Sequence, residues 1–131
     1  MINRKLQYSE ERLLEYRLLL LGKIEETKKS LKLLSADKPR DSGDRIEEFR
    51  ATNLSLSQFS LQRGLLRSVE EALSGVKRGT YGQCQGCGRP IGVSRLTVIP
   101  WARLCLRCGH LEEKEDSFGS GAVCRAYRAV A

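Results

Sequence analysis

Four of the five cysteines form two identical pairs, and this pattern constrains the fold more than any other feature of the sequence. Residues 84–108 read CQGCGRPIGVSRLTVIPWARLCLRC, which is Cys-x2-Cys, seventeen residues, and Cys-x2-Cys again. Two residues between cysteines let both thiolates of a pair face one ion, and four thiolates complete a tetrahedral site. The spacing predicts one structural zinc ion, although iron is compatible with the same ligands. The predicted metal ligands are Cys84, Cys87, Cys105 and Cys108.

The other uses of paired cysteines fit less well. A thioredoxin-like redox pair belongs in a βαβ context, which this segment lacks, and a catalytic zinc ion needs an open coordination position. We therefore expect no catalytic residues and no enzymatic activity. Cys124 has no neighbouring cysteine, and His110 adjoins the last ligand as an expected surface residue. In a reducing compartment, five cysteines point to a metal site or reactive thiols before disulfides.

The cysteine segment is too short to fold by apolar burial alone, so the metal is expected to hold it together. Gly88 and Gly109 follow the two pairs and are expected to free the backbone there. Pro100 suits the first turn of a helix, which predicts a short helix from Trp101 to about Asp116. A small strand or turn is predicted between the pairs, over Ile91, Val93, Leu96 and Val98.

Two long stretches without proline, on either side of Pro39, predict two amphipathic helices. Each helix is expected to span about 33 residues, or roughly 50 Å. Apolar residues recur there at heptad-compatible steps. In the first stretch they are Leu6, Leu13, Leu20, Ile24, Leu31 and Leu34, with Leu14, Leu18 and Leu21 widening the stripe. In the second they are Phe49, Leu56, Phe59, Leu66, Val69, Leu73 and Val76.

A single apolar stripe must be buried against a partner, and the simplest partner is the other helix, folded back at Pro39 and Gly43. Pairing between two chains is the alternative. The predicted fold is mainly α, a long antiparallel two-helix coiled-coil hairpin with a small four-cysteine zinc-finger module and a short C-terminal helix. The expected domains are the hairpin 1–79, the module 80–116 and a flexible tail 117–131.

The turn between the helices is acidic in a basic chain. The chain has a net charge of +7, yet residues 37–48 contain Asp37, Asp41, Asp44, Glu47 and Glu48. Asp44 and Glu47 have the spacing of a capping box, with Asp44 at the N-cap position of the second helix. From the residues alone, a solvated and well-capped turn accounts for this acidic segment.

The net positive charge favours acidic partners such as nucleic acid, and it equally serves solubility. Residues 80–110 contain four arginines and no acid; they are Arg89, Arg95, Arg103 and Arg107. A zinc module that binds nucleic acid without sequence specificity is therefore an alternative function. The longest leucine run, Leu18 to Leu21, is too short for a signal peptide or a membrane span. This pattern predicts a soluble cytoplasmic protein.

The segments GTYGQCQGCGRPI and PWARLCLRC, after a helix ending ALSGVKRG, resemble the DksA/TraR family of four-cysteine zinc-finger transcription factors. The resemblance covers about residues 6–116. It implies that the partner is bacterial RNA polymerase, and that the coiled-coil tip enters the secondary channel of polymerase near the catalytic Mg²⁺. It further implies that initiation is modulated without sequence-specific contact to DNA, by a protein that works as a monomer.

The resemblance also assigns residues at the tip. The family pattern is Asp-x-x-Asp-x-Ala, and the matching residues are Asp41, Asp44 and Ile46, so that both acids match and isoleucine replaces alanine. The resemblance thus implies a polymerase-contacting tip formed by these three residues. The Gre-type transcript-cleavage factors also carry acids on a hairpin tip, but they lack a four-cysteine module.

Some family members respond to guanosine tetraphosphate through basic residues of the second helix and the zinc module. A single basic residue, Arg95, stands at the corresponding positions, beside Leu61, Ser68, Ile99 and Gly109. A highly charged anion needs several Lys or Arg donors. The resemblance therefore implies a weak response to this alarmone, or none.

Overall fold

The structure is a computed structural model that describes residues 2–36 and 41–116. Four helices follow one another along the chain: α1 Ile2–Ala36, α2 Ser42–Arg78, α3 Val93–Val98 and α4 Leu106–Asp116. The predicted mainly α fold with two long packed helices and a cysteine cluster is confirmed. Asp37, Cys124 and the tail 117–131 lie outside the described residues, so the predicted flexibility of the tail stays a prediction.

A glycine ends α2 directly before the cysteine segment. Gly79 has φ 74°, a left-handed conformation that side chains with a Cβ seldom adopt. The N–H of Gly79 donates to Val76 O at 3.2 Å, and the N–H of Thr80 donates to Gly75 O at 2.9 Å. These two bonds form a Schellman motif, which satisfies the last carbonyls of a helix. The sequence ALSGVKRG therefore ends the helix at a defined residue.

Residues 14–70 form one compact unit, in which the two long helices run antiparallel. The Arg17 Nε atom lies 3.6 Å from Glu70 Oε1, and the Thr27 hydroxyl lies 3.0 Å from Gln62 Oε1. Residue numbers thus increase along α1, from Arg17 to Thr27, in the direction in which they decrease along α2, from Glu70 to Gln62. The antiparallel pairing predicted for these helices follows directly from the two contacts.

The seam of this unit is narrower than the sequence predicts. Leu20, Ile24 and Val69 are buried as expected. The three leucines expected to widen the stripe are instead exposed; they are Leu14 at 44%, Leu18 at 71% and Leu21 at 39%. A two-helix pair offers each helix only one neighbour, so a second row of leucines has nothing to pack against.

In the N-terminal half of α2, the residues that face α1 also differ from those predicted from the sequence. Phe49 and Leu56 were predicted to face α1, but they are 67% and 48% exposed. Ser55 turns inward instead of Leu56 and is half-buried, as Phe59 is. The apolar pattern predicts that Leu56, three residues before Phe59, faces α1. In the helix, Ser55, four residues before Phe59, faces α1 instead.

A polar pair explains why small and polar residues occupy this part of the seam. Thr27 is buried, and its hydroxyl reaches both the Lys23 carbonyl at 2.9 Å and the Gln62 side-chain amide at 3.0 Å. A buried polar group costs little when it is hydrogen-bonded, and a misaligned seam would leave it unpaired. The Thr27–Gln62 pair therefore favours one register of the two helices.

The second unit consists of residues 1–13 together with 71–131, of which 2–13 and 71–116 are described. Two contacts attach its cysteine segment to the long helices in the same unit, and a third closes the segment on itself. Arg12 Nη1 donates to Thr97 O at 2.9 Å, the Tyr81 hydroxyl donates to Pro100 O at 2.8 Å, and Arg103 Nη1 lies 3.2 Å from Glu71 Oε2. Burial raises the pKa of Tyr81, so the phenol keeps the proton that it donates.

Two sequence predictions for the cysteine segment are wrong. The segment predicted as a strand or turn contains the helix α3, in which Ile99 N–H donates to Arg95 O at 2.7 Å. The last helix begins at Leu106 rather than near Trp101, and Pro100 is fully buried in the turn before it. Short apolar runs do not distinguish strand from helix, and Val93 and Val98 are in fact exposed.

Within the described residues, none of the helices combines the length and the apolar character needed to cross a membrane.

Two adjacent leucines of α1 test the seam. Leu20 is 6% exposed and Leu19 is 61% exposed. Leu20→Ala should lower the free energy of unfolding by about 2 kcal/mol or more, because it removes buried methyl groups and leaves a cavity. Leu19→Ala should change it by less than about 0.5 kcal/mol. Urea unfolding followed by helical circular dichroism measures both, and equal losses would show that the buried row has been wrongly identified.

Candidate metal centre and hairpin tip

The first cysteine pair lies on a tight turn. Cys84 N–H donates to Arg89 O at 2.8 Å, and Gly88 N–H donates back to Cys84 O at 2.9 Å. Gly88 has φ 71°, so the glycine predicted to free the backbone here does so. A Cβ on Gly86 would lie 3.1 Å from the Cys108 sulfur. Gly86, which sequence reasoning did not single out, therefore makes room for the opposite cysteine pair.

The second pair lies at the start of α4, with Cys105 just before the helix and Cys108 in its first turn. Gln85 N–H donates to Arg103 O at 2.9 Å, and Cys105 N–H donates to the Cys84 sulfur at 3.2 Å. These backbone bonds join the two pairs. Gly109 does not have the left-handed conformation expected for it, because it belongs to α4 and its N–H donates to Cys105 O.

The four sulfur atoms come together as one cluster. Those of Cys84, Cys87, Cys105 and Cys108 all lie within 4.8 Å of one another, and those of Cys87 and Cys105 are 3.8 Å apart. Zinc–sulfur bonds of about 2.3 Å in a tetrahedron place sulfur atoms about 3.8 Å apart. The donor set and the spacing therefore fit one tetrahedral ion. In the described part of the chain, no other group of three or more His, Cys, Asp or Glu side chains brings its ligand atoms this close together.

The four sulfurs lie in different environments, which give the thiols different pKa values and so affect cation binding. Desolvation raises the pKa of Cys84, but backbone N–H groups of Cys105, Cys87 and Gly86 outweigh it and lower the pKa to about 6. A hydrogen bond with Cys105, followed by desolvation, raises the pKa of Cys108 to about 12. A divalent cation would favour the thiolate form of all four groups. Because protons compete for the same sulfurs, metal binding should weaken as the pH falls.

The arginines of the cysteine segment are partly used within the molecule. Arg95 Nε donates to Leu104 O at 3.1 Å, and Arg103 pairs with Glu71. Arg89 and Arg107 are exposed. Only part of the predicted basic surface thus faces solvent freely, and this weakens the hypothesis of a nucleic-acid-binding module.

At the hairpin tip, the structure assigns capping to a different acid from the one predicted. The helix α2 begins at Ser42, and Arg45 N–H donates to Asp41 O at 3.1 Å, so Asp41 occupies the N-cap position. The Asp41 carboxylate accepts hydrogen bonds from the backbone N–H and the hydroxyl of Ser42. The prediction that Asp44 is the N-cap is therefore wrong.

Asp44 lies in the first turn of α2, where a negative charge interacts favourably with the helix dipole. Asp41 and Asp44 are both exposed and three residues apart, so both carboxylates are available to a partner. Ile46, the third predicted tip residue, is 56% exposed. All three side chains are therefore accessible to a partner.

Comparison with known proteins gives consistent matches. Residues 79–114 match the family model described as "Prokaryotic dksA/traR C4-type zinc finger". An uncharacterised protein of Aquifex aeolicus is 33% identical over 114 residues, covering 85% of this chain and 78% of that protein. The RNA polymerase-binding transcription factor DksA of Caulobacter vibrioides is 29% identical over 116 residues, covering 88% and 81%.

Among solved structures, transcription factor DksA2 from Pseudomonas aeruginosa is similar over most of its length. It is 31% identical in sequence, the match covers 87% of each chain, and the TM-score is 0.74. The C4-type zinc-finger match and the clustered thiols together support a structural zinc ion, which favours zinc over iron.

Removing the metal tests the cysteine cluster. Cys105→Ser, or treatment with a chelator, should release about one zinc ion per chain and unfold the segment 80–116. Zinc supplies on the order of 10 kcal/mol to the folding of such modules, whereas the helix pair has its own apolar seam. Elemental analysis and circular dichroism should show zinc lost but much helix retained. Cys124→Ser is the control and should keep its zinc; loss from both variants alike would contradict the ligand assignment.

Proposed function

This chain belongs to the DksA/TraR family of C4-type zinc-finger proteins, and on that premise we propose that it binds bacterial RNA polymerase and regulates transcription. The observation that carries the proposal is the similarity to DksA2 over 87% of both chains. A match confined to residues 79–114 would support only a zinc finger. A match that includes both long helices supports a protein that uses the helix pair as well, in the cytoplasm where polymerase acts.

In the proposed mechanism, the tip of the helix pair enters the secondary channel of polymerase. Asp41, Asp44 and Ile46 are the residues proposed to contact polymerase there. Their exposure, and the absence of a structural partner for the Asp44 carboxylate among the hydrogen bonds of the described residues, support this role. Carboxylates near a catalytic Mg²⁺ can alter its ligands or compete for its coordination positions.

The two parts of the chain have different proposed duties. The hairpin 1–79 carries the tip, and the module 80–116 is held together by zinc on Cys84, Cys87, Cys105 and Cys108. Four thiolates leave no coordination position for water, so the ion has a structural role and no catalytic step is proposed. The chain is proposed to act as a monomer and to make no sequence-specific contact with DNA.

The response to guanosine tetraphosphate is proposed to be weak or absent. Leu61, at one of the positions concerned, is 74% exposed and offers no hydrogen bond to a phosphate. Ser68 donates its hydroxyl proton to Gly64 O at 3.2 Å. Arg95 is the one basic residue at these positions, and its Nε atom is bonded to Leu104 O.

Binding can be tested directly with purified core polymerase. The full chain should co-elute with polymerase in size-exclusion chromatography, and raising the salt should weaken the complex only partly because apolar residues also lie at the tip. DNA alone should bind weakly and lose affinity by about 200 mM salt. A defined footprint on DNA with no binding to polymerase would instead favour the nucleic-acid-binding alternative.

Charge and capping can be separated at the tip. Asp41→Asn and Asp44→Asn should each change the free energy of unfolding by only about a few tenths of a kcal/mol. At position 41 asparagine caps a helix as well as aspartate, and at position 44 the change removes only the interaction of one exposed charge with the helix dipole. Both should sharply reduce the effect on open-complex lifetime, because each removes a charge from the proposed site. Binding to polymerase should persist.

Glu47→Gln is the matched control, because it removes an exposed charge one turn along α2 from Asp44. It should leave regulation close to the wild-type level. If Asp41→Asn and Asp44→Asn regulate purified polymerase as wild type does, the tip acids are only structural and the proposed mechanism fails.

A further inference from the structure

Arg95 lies beside the residues that flank the second cysteine pair. It lies on α3, and its Nε atom donates to the carbonyl of Leu104, the residue directly before Cys105, at 3.1 Å. Its Nη2 atom lies 3.2 Å from the point where a Cβ of residue 109, directly after Cys108, would stand. One half-buried guanidinium thus spans the segment that contains both ligands of the pair.

Gly109 is unusual for its place in the chain. It lies inside α4, where glycine is less favourable than alanine, and its φ is not positive. The backbone conformation therefore does not require glycine. The distance of 3.2 Å to Arg95 Nη2 is closer than ordinary van der Waals contact for a Cβ. Space for the guanidinium is the one local reason for glycine at this position.

We propose that Arg95 is a positioning residue for the zinc site, and that Gly109 is required because it admits the Arg95 guanidinium. The bond to Leu104 O fixes the backbone that leads into Cys105, and the space at Gly109 lets the guanidinium lie close to the first turn of α4, which carries Cys108. Groups that orient metal ligands in this way commonly change metal affinity by about 10-fold to 100-fold.

The chemistry of the side chain fits this role. A guanidinium is planar, and it can donate to a carbonyl while its other nitrogens pack flat against a helix backbone. Its positive charge also lies close to a centre that carries a net charge of −2 when four thiolates hold Zn²⁺. A residue in this arrangement is not available to bind a phosphate ligand from solution.

The rate at which zinc passes from the full-length protein to a chromogenic chelator tests the proposal. Arg95→Ala should release zinc about 10-fold faster than wild type. Arg107→Ala is the matched control, because it removes the same charge from between the two cysteines of the pair, at an exposed position. It should release zinc within about twofold of the wild-type rate. Equal rates for the two variants would show a general effect of charge and overturn the proposal.

A double-mutant cycle then tests the link to Gly109. By helix propensity alone, Gly109→Ala should favour the folded state by up to about fivefold. We expect it instead to accelerate zinc release by about threefold or more when Arg95 is present, and to slow release when Arg95 is alanine. The same effect in both backgrounds would mean that the two residues do not act together. If Arg95→Ala does not fold, unchanged or slower release from the single variant Gly109→Ala overturns the proposal by itself.

A spectroscopic measurement separates positioning from general stability. In the cobalt-substituted protein, the visible bands report the geometry of the four sulfur ligands. Arg95→Ala should alter the position or intensity of these bands, and Arg107→Ala should not. Identical spectra for wild type and Arg95→Ala would show that the ligands keep their places without Arg95, and would overturn the positioning role.

Discussion

The convergence of four thiolates on one ion is the interaction on which the cysteine segment depends. Apolar burial there is slight: Cys84, Ile91 and Pro100 are buried, and α3 buries no residue at all. The contacts of Tyr81 with Pro100 and of Arg103 with Glu71 require the loop to hold its shape first. Zinc provides that shape, because it displaces protons from the thiols and joins all four sulfurs by metal–sulfur bonds. The hydrogen bonds then attach the folded segment to the helix ends of the same unit.

The long helices are held by a different balance. Their seam buries few large side chains, and it includes a hydrogen-bonded threonine where a leucine would bury more area. Such a seam gives up some stability in return for a single register. Register matters for a protein whose proposed contact residues lie at one end, since a slip of the helices would shorten one arm of the turn and displace Asp41 and Asp44.

The features that could be predicted from sequence are those with one dominant physical cause. Metal coordination needs the four cysteines together, and two long proline-free amphipathic stretches need each other, so the ligand set and both helices follow from spacing. The predictions that were wrong each required a choice between two nearly equivalent residues or structures. Asp41 and Asp44 are both good caps, Ser55 and Leu56 differ by one position, and the run from Val93 to Val98 suits either a strand or a helix. The role proposed for Arg95 depends on its closeness to Gly109, fourteen residues away, which no local pattern reveals.

The Asp41 side chain has a consequence for how this protein can vary through evolution. Its carboxylate holds the backbone of Ser42, and it is also one of two acids exposed at the tip. Glutamate would keep the charge but reach past the helix end, and asparagine would keep the cap but lose the charge. Each neighbouring substitution thus preserves one trait at the expense of the other. Under the proposed function, only aspartate combines both traits at position 41, whereas Asp44, whose side chain does not cap the helix, could be replaced by glutamate at lower cost to folding.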